Sequence, residues 1–548
     1  MRKTGCRGIS NARRGGPAAR GLAVSAALAC LLSLRGLAVP PSKRPAALPA
    51  DLDNHVARVM KAFDVPGLAL AVVKDGAVLV AKGYGVRTLG HPEPVDSGTL
   101  FGIASNTKVF TATALGLLVE EGKLEWDAPV VRYLPSFQMW DPWVTREITV
   151  RDLLVHRSGL GLGAGDLLWW PPSTYSRKEV TRRLRFLRPE TSFRTAYAYD
   201  NVLYVVAGEL IEAVSGQSWE EFVTRRILRP AGMTASTVNH SSAAAGGNVA
   251  TPHARVEGSV RPVKPFTSDV TNPAGGINSS AEEMARWLQV LLSRGKTPEG
   301  SRLFSEATWT ELTSLVTPIR ISEPPAPLAA LRLQFLGYGL GLVMRDYRGR
   351  KVLAHDGGLP GYVSGVLMIP EVGLGVAVLT NQESADACNA ILCHIIDHVL
   401  QAPRTDWLDA FKRVRAEANA RVAGEAAGAA SKRVTGSKPH LPLASYAGAY
   451  RDDWYGEIPI SLEDGRLVLR FSQTPSLVGD LEHWQYETFV VRWRDRELRA
   501  DAFVTFTLDP DGQVVEARMK AVSSETDFSF DFHHLCLRRV PAPAPTVP

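Results

Sequence analysis

Residues 101–118 of the chain read FGIASNTKVFTATALGLL and place Ser105 and Lys108 three positions apart at the start of an apolar helical run. The pattern predicts a helix over 108–121, with Gly122 as its stop. Three positions are nearly one helical turn, so the Ser105 hydroxyl and the Lys108 amine should face one cleft. A buried amine with a lowered pKa can accept a serine proton, and the helix N-terminus offers N–H groups to an oxyanion. The pair is therefore a candidate nucleophile and base.

The spacing is not specific by itself. A second copy, Ser293-Arg294-Gly295-Lys296, stands where another helical pattern ends. Gly295 terminates that element, and nothing in the sequence orients the serine and the lysine toward each other. Most Ser-x-x-Lys sequences lie on solvated helix faces, so the first copy needs support from the rest of the chain.

Strand patterns stand on both sides of a mostly helical segment. A first hairpin is predicted around the Asp75-Gly76 turn, between runs 68–73 and 77–81. Downstream the sequence predicts four more strands, at 339–344, 351–354, 363–369 and 374–379. Capping boxes that begin at Ser218 and Ser280 predict helices between the two groups.

These patterns predict an α/β fold for residues 50–402. The expected architecture is a mixed antiparallel sheet flanked by helices, with a mostly helical insertion and a cleft where the two meet. Residues 403–438 should be a helix that fades into a flexible linker. Residues 439–541 should form a separate all-β domain, and the alternation of Phe528, Phe530 and Phe532 with polar residues is interpreted as a strand.

The N-terminal segment is basic. Its first 39 residues contain no acid and seven basic residues, which are Arg2, Lys3, Arg7, Arg13, Arg14, Arg20 and Arg35. They account for the net charge of +6, so the rest of the chain is close to neutral and no nucleic-acid partner is expected. An apolar run at 21–34 completes the pattern of a signal peptide over 1–39 and is short for a membrane span. We expect export to the periplasm or the extracellular space, without a stable membrane span in the mature chain. An uncleaved segment would instead be an anchor.

Other chemistries find little support. Cys388 and Cys393 should point in different directions on one helix, so no disulfide framework is expected. The sequence Cys393-His394-x-x-Asp397-His398 has metal-like spacing, but a helix end explains it, and we expect no metal or other cofactor. The chain contains neither Gly-x-Ser-x-Gly nor His-Glu-x-x-His, which argues against the α/β-hydrolase and zinc-peptidase classes.

Two further motifs have structural explanations. His156 and Ser158 are interpreted as turn and packing residues rather than as a catalytic pair. The sequence Trp169-Trp170-Pro171-Pro172 is either the lip of a cleft that grips substrate or a loop packed on the helical region.

Several motifs follow residues 101–118 in order: LLVHRSGL at 153–160, Tyr199-Asp200-Asn201, NPAGGINSS at 272–280, and His355-Asp356-Gly357 followed by Gly358-Leu359-Pro360-Gly361. Together, across about residues 50–400, they resemble the serine β-lactamase and penicillin-binding superfamily. The resemblance is to class C β-lactamases and to their D-Ala-D-Ala carboxypeptidase, D-aminopeptidase and esterase relatives. Residues 446–450, YAGAY, resemble a β-rich domain of unknown function that often follows such domains, and we expect no catalytic residue there.

The resemblance implies a role for each residue of the first wall. Ser105 would attack the carbonyl, and Lys108 would hold or accept its proton. Tyr199 would be a second base, because the charge of Lys108 can stabilise its phenolate. Asn201 would hydrogen-bond both Lys108 and the acyl amide of the substrate.

The opposite wall departs from the family pattern. His355 and Gly357 would line it, and the N–H of Gly358 would join that of Ser105 in an oxyanion hole. A typical β-lactamase has Lys at the position of His355, where it supplies a fixed charge for the substrate carboxylate. A neutral or partly charged histidine supplies less, which argues against efficient β-lactam hydrolysis.

The sequence therefore predicts a serine hydrolase that cleaves an amide or ester through an acyl-enzyme on Ser105. Its substrate would be a D-amino-acid peptide, a small ester or a β-lactam, with cell-wall-derived peptides among the candidates. A penicillin-binding or sensing protein with little or no turnover is the alternative on the same fold. The intact set of Ser105, Lys108 and Tyr199 favours the enzyme, because a degenerate site would be expected to lose one of them.

Overall fold

The structure is a computed structural model and describes residues 48–245 and 247–541. The predicted signal segment, 1–39, lies outside these residues. None of the helices in the described part of the chain is long and apolar enough to cross a membrane. For clarity, residues 48–402 are called the larger domain and residues 439–541 the β domain.

The larger domain contains twelve strands among its described residues. They are β1 (Gly67–Lys74), β2 (Ala77–Gly85), β3 (Phe101–Gly102), β4 (His253–Val256), β5 (Ser259–Pro262), β6 (Asn278–Ser279), β7 (Thr317–Pro318), β8 (Leu336–Tyr338), β9 (Val343–Tyr347), β10 (Arg350–Leu359), β11 (Tyr362–Ile369) and β12 (Leu374–Thr380).

Ten α-helices surround and interrupt these strands in the described residues of the larger domain. They are α1 (Leu52–Ala62), α2 (Lys108–Glu120), α3 (Pro142–Glu147), α4 (Arg177–Arg183), α5 (Val202–Ser215), α6 (Trp219–Val223), α7 (Asn272–Gly275), α8 (Ala281–Leu292), α9 (Glu306–Leu312) and α10 (Ala385–Val399). Ser218 and Ser280 are N-caps as predicted, because each accepts a backbone N–H three residues on, whereas the carboxylates of Glu221 and Glu283 bind other groups instead of closing a capping box.

An eight-stranded antiparallel sheet organises the larger domain, in the order β2-β1-β12-β11-β10-β9-β8-β7. Every residue of strand β1 is buried, and its side chains alternate between the two faces of the sheet, so both faces are covered. Leu68, Leu70 and Val72 pack in one core with α1 and α10, whereas the small side chains of Ala69 and Ala71 pack in the other core with α8. The predicted mixed α/β fold with a helical insertion is confirmed.

One strand prediction in this sheet was wrong. The segment 339–344 was expected to be extended, but β8 ends at Tyr338 and β9 begins at Val343. The connection turns at Gly341, whose φ is +80°. A Cβ there would lie 2.8 Å from the backbone nitrogen of Val109, so glycine allows the turn to pack on the start of α2.

A long helix stands between the larger domain and the β domain. Helix α11 (Trp407–Lys432) continues to Lys432 before the linker, and α12 (Leu443–Tyr446) opens the domain. The nine strands described in this domain are β13 (Tyr450–Asp452), β14 (Gly456–Glu457), β15 (Ile460–Glu463), β16 (Arg466–Arg470), β17 (Val478–Gln485), β18 (Thr488–Trp493), β19 (Ala502–Leu508), β20 (Val514–Ala521) and β21 (Leu537–Arg539). They form one antiparallel sheet in the order β14-β13-β21-β20-β19-β18-β17-β16-β15, which confirms the all-β domain.

The segment that contains Phe528, Phe530 and Phe532 is a loop rather than the expected strand. Phe530 and Phe532 are buried in the core, but Phe528 is 41% exposed. Asp531 does not face solvent as strand alternation would require. It is fully buried, and its carboxylate accepts the backbone N–H groups of Gly165 and Leu167 in the larger domain, at 2.8 and 3.2 Å.

The two domains are packed together rather than loosely tethered. One apolar core runs from the larger domain into the β domain. The Arg183 guanidinium donates to the Trp454 carbonyl at 2.7 Å, and the Thr174 N–H donates to the Gln473 carbonyl at 2.8 Å. The loop at 527–532 is therefore held at a fixed place on the larger domain.

Candidate active site

A short 3-10 helix, Ala104–Thr107, carries Ser105 and leads directly into α2. Ala104 has φ +49°, a backbone conformation that residues other than glycine rarely adopt. Strand β10 approaches this turn closely, because a Cβ on Gly357 would lie 2.3 Å from the Ile103 carbonyl oxygen and 2.9 Å from the Ala104 Cβ. The glycine at 357 therefore sets the distance between the strand and the serine.

The Ser105 hydroxyl lies between two polar side chains. Its Oγ is 3.0 Å from Lys108 Nζ and 2.8 Å from the Tyr199 hydroxyl. The sequence reasoning placed these three residues together, and the structure brings them within hydrogen-bond distance. This is the geometry that an activated serine nucleophile requires.

Lys108 is fully buried. Besides Ser105, its amine donates to the Asn201 side-chain oxygen at 2.8 Å and to the Ala274 carbonyl at 3.0 Å. Desolvation by burial lowers the pKa of Lys108 to about 7, although the negative charges of Asp166 and Asp200 oppose the shift. The amine is thus available in its neutral, basic form near neutral pH.

The protonation state of Tyr199 bears on its predicted role as a second base. Burial raises the pKa of Tyr199 well above its ordinary value, so the resting side chain is a neutral phenol. Its hydroxyl donates to Ser105, and its ring packs on His156 with centroids 4.3 Å apart. In the resting state Tyr199 is thus placed to donate a hydrogen bond to Ser105, and its role as a second base stays a prediction.

Asn201 connects the lysine to a buried carboxylate. Its side-chain nitrogen donates to Asp166 Oδ2 at 2.9 Å, which orients the amide oxygen toward Lys108. The same Asp166 oxygen accepts the Ser529 hydroxyl of the β domain at 2.9 Å. Burial raises the pKa of Asp166 well above that of a free carboxyl.

The β domain therefore contributes to the site, which the sequence analysis missed. Ser529 holds Asp166, and the Phe528 ring stands edge-on to Tyr199 with centroids 6.0 Å apart. The signal in the sequence was the polar-apolar alternation at 527–532. It was interpreted as a strand because a contact between residues 363 positions apart leaves no local pattern.

His355 lies in the opposite wall, but neither of its ring nitrogens is free. The Asp356 carbonyl is 2.6 Å from Nδ1, so this nitrogen carries the proton, and Nε2 accepts the Tyr338 hydroxyl at 2.7 Å. Burial lowers the pKa of His355 to about 3. The partial positive charge considered for this residue is therefore absent at neutral pH.

Gly358 is placed differently from Gly357. A Cβ on Gly358 would meet no atom within 4 Å, so its backbone borders open space on the cleft side of β10. Both Gly358 and Ser105 line the same cavity of about 390 Å³. This placement agrees with the expected oxyanion hole, whose donors would be the backbone N–H groups of these two residues.

The charge of this cavity is unusual for a site that would hold a carboxylate. Among the described residues that line it there is no arginine and no lysine, whereas Asp356 and Asp527 are present. Lys108 lies beneath the Ser105 side chain and is itself committed to three hydrogen bonds. The described lining offers no fixed cation to a substrate anion.

The rival motifs have structural roles. His156 accepts the backbone N–H of Asp200 at 3.2 Å, and Ser158 donates to the Asp200 carboxylate at 3.1 Å, so both brace the turn that carries Tyr199. Asp397 accepts hydrogen bonds from Tyr347 and Arg348, at 2.6 and 2.8 Å. Cys388 and Cys393 are buried free thiols.

Glu190, His533 and His534 lie close enough together to hold a metal ion, and two of the three are already paired through hydrogen bonds. His534 pairs with Glu190 at 2.8 Å and with Asp531 at 3.3 Å. None of the three lines the Ser105 cavity.

Comparison with known families agrees with this fold. The family described as Beta-lactamase matches residues 52–392, and a Domain of unknown function (DUF3471) matches residues 432–539. The chain belongs to the Beta-lactamase family. Its relatives support a hydrolase of the β-lactamase and penicillin-binding type.

Two relatives and one solved structure illustrate the match. The chain is 29% identical to the Unguisins hydrolase ungD of Aspergillus violaceofuscus (strain CBS 115571), over 78% of this chain and 79% of the relative. It is 29% identical to Penicillin-binding protein 4 of Amycolatopsis lactamdurans, over 58% of this chain and 81% of the relative. The octameric penicillin-binding protein homologue from Pyrococcus abyssi shares the fold, with a TM-score of 0.58 and 22% identity over 89% of this chain and 99% of that one.

Proposed function

We propose that the protein is an exported serine hydrolase that cleaves amide or ester bonds through an acyl-enzyme on Ser105. The observation that carries the proposal is the buried Lys108 amine, 3.0 Å from Ser105 Oγ and with a pKa lowered to about 7. The Unguisins hydrolase relative supports hydrolysis as the activity. Export rests only on the pattern of residues 1–39.

In this mechanism, Ser105 Oγ attacks the carbonyl carbon and its proton passes to neutral Lys108. The N–H groups of Ser105 and Gly358 would stabilise the oxyanion, and each such donor is worth roughly 10²–10³ in rate. Collapse breaks the bond to the leaving group, which takes a proton through the Tyr199 hydroxyl as Lys108 returns to its neutral form. A water molecule then hydrolyses the acyl ester by the same proton route.

The substrates that fit best lack a carboxylate next to the scissile bond. His355 is neutral, and the described lining of the Ser105 cavity contains no arginine or lysine. A charge-assisted hydrogen bond to a substrate anion is worth about 1.5–3 kcal/mol, and its absence would weaken β-lactam turnover roughly ten- to a hundredfold. We therefore propose small acyl esters or D-amino-acid peptides as substrates, and among cell-wall peptides those whose scissile bond is not followed directly by a free carboxylate.

A turnover assay tests this proposal against the penicillin-binding alternative. The full-length protein is incubated with an uncharged ester, a D-amino-acid peptide with an amidated C-terminus and a chromogenic cephalosporin, with Ser105→Ala as the blank. We expect multiple turnovers of the ester or the peptide and a much lower kcat/KM for the cephalosporin. A single stoichiometric burst without turnover would favour the binding or sensing protein, and a strong preference for the cephalosporin would overturn the substrate assignment.

A further inference from the structure

A second cavity, of about 510 Å³, opens beside the Ser105 cavity and lies between the two domains. The two cavities share five lining residues, which are Trp170, Gly358, Leu359, Val363 and Asp527. The two cavities are therefore adjacent, and a molecule attached to Ser105 would extend toward the second cavity along these shared residues. We call this cavity the interdomain chamber.

Much of the wall of the interdomain chamber is apolar. Trp170 packs on Phe266 with ring centroids 4.8 Å apart on the side of the larger domain. Leu498 and Phe530 face them from the β domain. Trp170 of the Trp169-Trp170 motif lines the chamber, and both tryptophans are also packed in the core, so the two interpretations of this motif both remain open.

The charged part of the lining is predominantly acidic. Five carboxylates line the interdomain chamber, from Glu383, Asp495, Glu497, Glu525 and Asp527, against the cations of Lys264 and Arg499. Both cations are already paired, because Arg499 forms a two-pronged salt bridge with Glu383 and Lys264 pairs with Asp495 at 2.7 Å. Glu497 is also paired, with Arg261 at 2.9 Å, so Glu525 and Asp527 are the carboxylates of this lining without a salt bridge among the described residues, and the chamber keeps a net negative charge.

Asp527 stands where the two cavities meet. Its side chain is open to the cleft, and its carboxylate accepts the backbone N–H of Ser529 at 2.9 Å. Although the side chain is exposed at the mouth of the cleft, the surrounding atoms of the two domains partly desolvate the carboxylate and raise the pKa of Asp527, and the nearby Glu383 adds to the shift. A positive charge brought to this position would relieve both effects.

We propose that the interdomain chamber binds the extended, apolar part of the substrate and that Asp527 pairs with an ammonium group on it. The ligand class is a hydrophobic peptide or amide with a free amino group, bound next to the acyl position on Ser105. This inference rests on the proposed hydrolase function and names its substrate class. Anionic substrates should be disfavoured by the same charges.

The test uses one hydrophobic dipeptide p-nitroanilide in three forms, with a free amino terminus, an N-acetyl group or an N-succinyl group. For the full-length protein we expect kcat/KM to be highest for the cationic form, lower for the neutral form and lowest for the anionic form. The Asp527→Asn variant should reduce the preference for the cationic over the neutral form roughly tenfold. The Glu417→Gln variant removes one negative charge from the exposed face of α11 and should leave that preference intact.

A second variant tests the apolar wall without changing any charge. Leu498→Trp should fill part of the interdomain chamber and raise the KM of the dipeptide substrate more than that of a single-residue analogue. Equal kcat/KM for the cationic and neutral forms, or a preference that survives Asp527→Asn, would overturn the inference. If the wild-type protein turns over neither these substrates nor an uncharged ester, the hydrolase proposal fails instead, so the two failures are distinguishable.

Discussion

The chain contains two Ser-x-x-Lys segments of equal spacing and opposite surroundings. Ser105 and Lys108 begin a buried helix, and the lysine amine is enclosed by the Asn201 amide and the Ala274 carbonyl. Ser293 and Lys296 follow the end of α8 and are exposed, and the Ser293 hydroxyl donates to the carbonyl of Gln289 at 2.6 Å. The spacing alone does not make a nucleophile, because the second serine has no base directed at it.

The difference in surroundings between the two segments shows what would activate Ser105. Burial removes water from the Lys108 amine and lowers its pKa, while three oxygen atoms fix its position. Those oxygens come from three elements that are far apart in the sequence. Matched substitutions in the two segments separate the effect of the surroundings from that of the motif.

The largest contrast is expected between Lys108→Met and Lys296→Met. Methionine keeps the length of the lysine stem and removes the amine, so Lys108→Met should lower kcat/KM for an ester by about 10²–10⁴. Lys296→Met changes an exposed side chain and should leave kcat/KM within about twofold, as surface substitutions generally do. Thermal unfolding of both variants checks that the loss is not one of folding. A comparable loss in both would contradict the assignment.

Tyr199→Phe should have the next largest effect. It keeps the ring that packs on His156 and removes the hydroxyl 2.8 Å from Ser105 Oγ, so kcat should fall about a hundredfold. Tyr197→Phe is the matched control, because Tyr197 also lines the cavity but its hydroxyl is not hydrogen-bonded to Ser105. If the two variants lose activity equally, the proton relay through Tyr199 is wrong.

The pH dependence of kcat/KM should follow the titration of Lys108. The amine acts as a base only when neutral, and its pKa is lowered to about 7. Activity should therefore be present above pH 7 and should decline about tenfold per pH unit as the pH falls well below 7. A profile that is flat from pH 5 to 8 would show that Lys108 does not have to lose a proton.

The smallest effect is expected for Ser529→Ala in the β domain. This variant removes the hydrogen bond from Ser529 to Asp166, which in turn accepts the side-chain N–H of Asn201, the partner of Lys108. Because such a hydrogen bond contributes about 1 kcal/mol, kcat/KM should fall roughly three- to tenfold. Ser523→Ala lies in the same loop, where its hydroxyl accepts the Glu525 N–H, and should have no effect on kcat/KM. Equal activity of the two variants would show that the β domain does not position the lysine.

The features that local chemistry determines could be predicted from the sequence. The Asp75-Gly76 turn specified the first hairpin, and the capping box at Ser280 specified where α8 begins. The three residues around the nucleophile were found because their motifs occur in order along the chain. Short segments with strong turn or cap signals can therefore be predicted from the sequence alone.

The features that were missed depend on contacts across the chain. The strand expected at 339–344 is broken because Gly341 must turn against the start of α2. Ser529 reaches Asp166 across 363 positions, and the neutral state of His355 follows from burial that no local pattern reports. The interdomain chamber is invisible in the sequence because each domain supplies only part of its wall.

The most direct test of the account is the identity of the acylated serine. The wild-type protein, Ser105→Ala and Ser293→Ala are each treated with a fluorophosphonate probe, and the adducts are located by intact mass and peptide mapping. We expect one adduct, on Ser105, in the wild-type protein and in Ser293→Ala, and none in Ser105→Ala. An adduct that persists in Ser105→Ala and maps to another serine would contradict the central claim that the buried lysine selects Ser105 as the nucleophile.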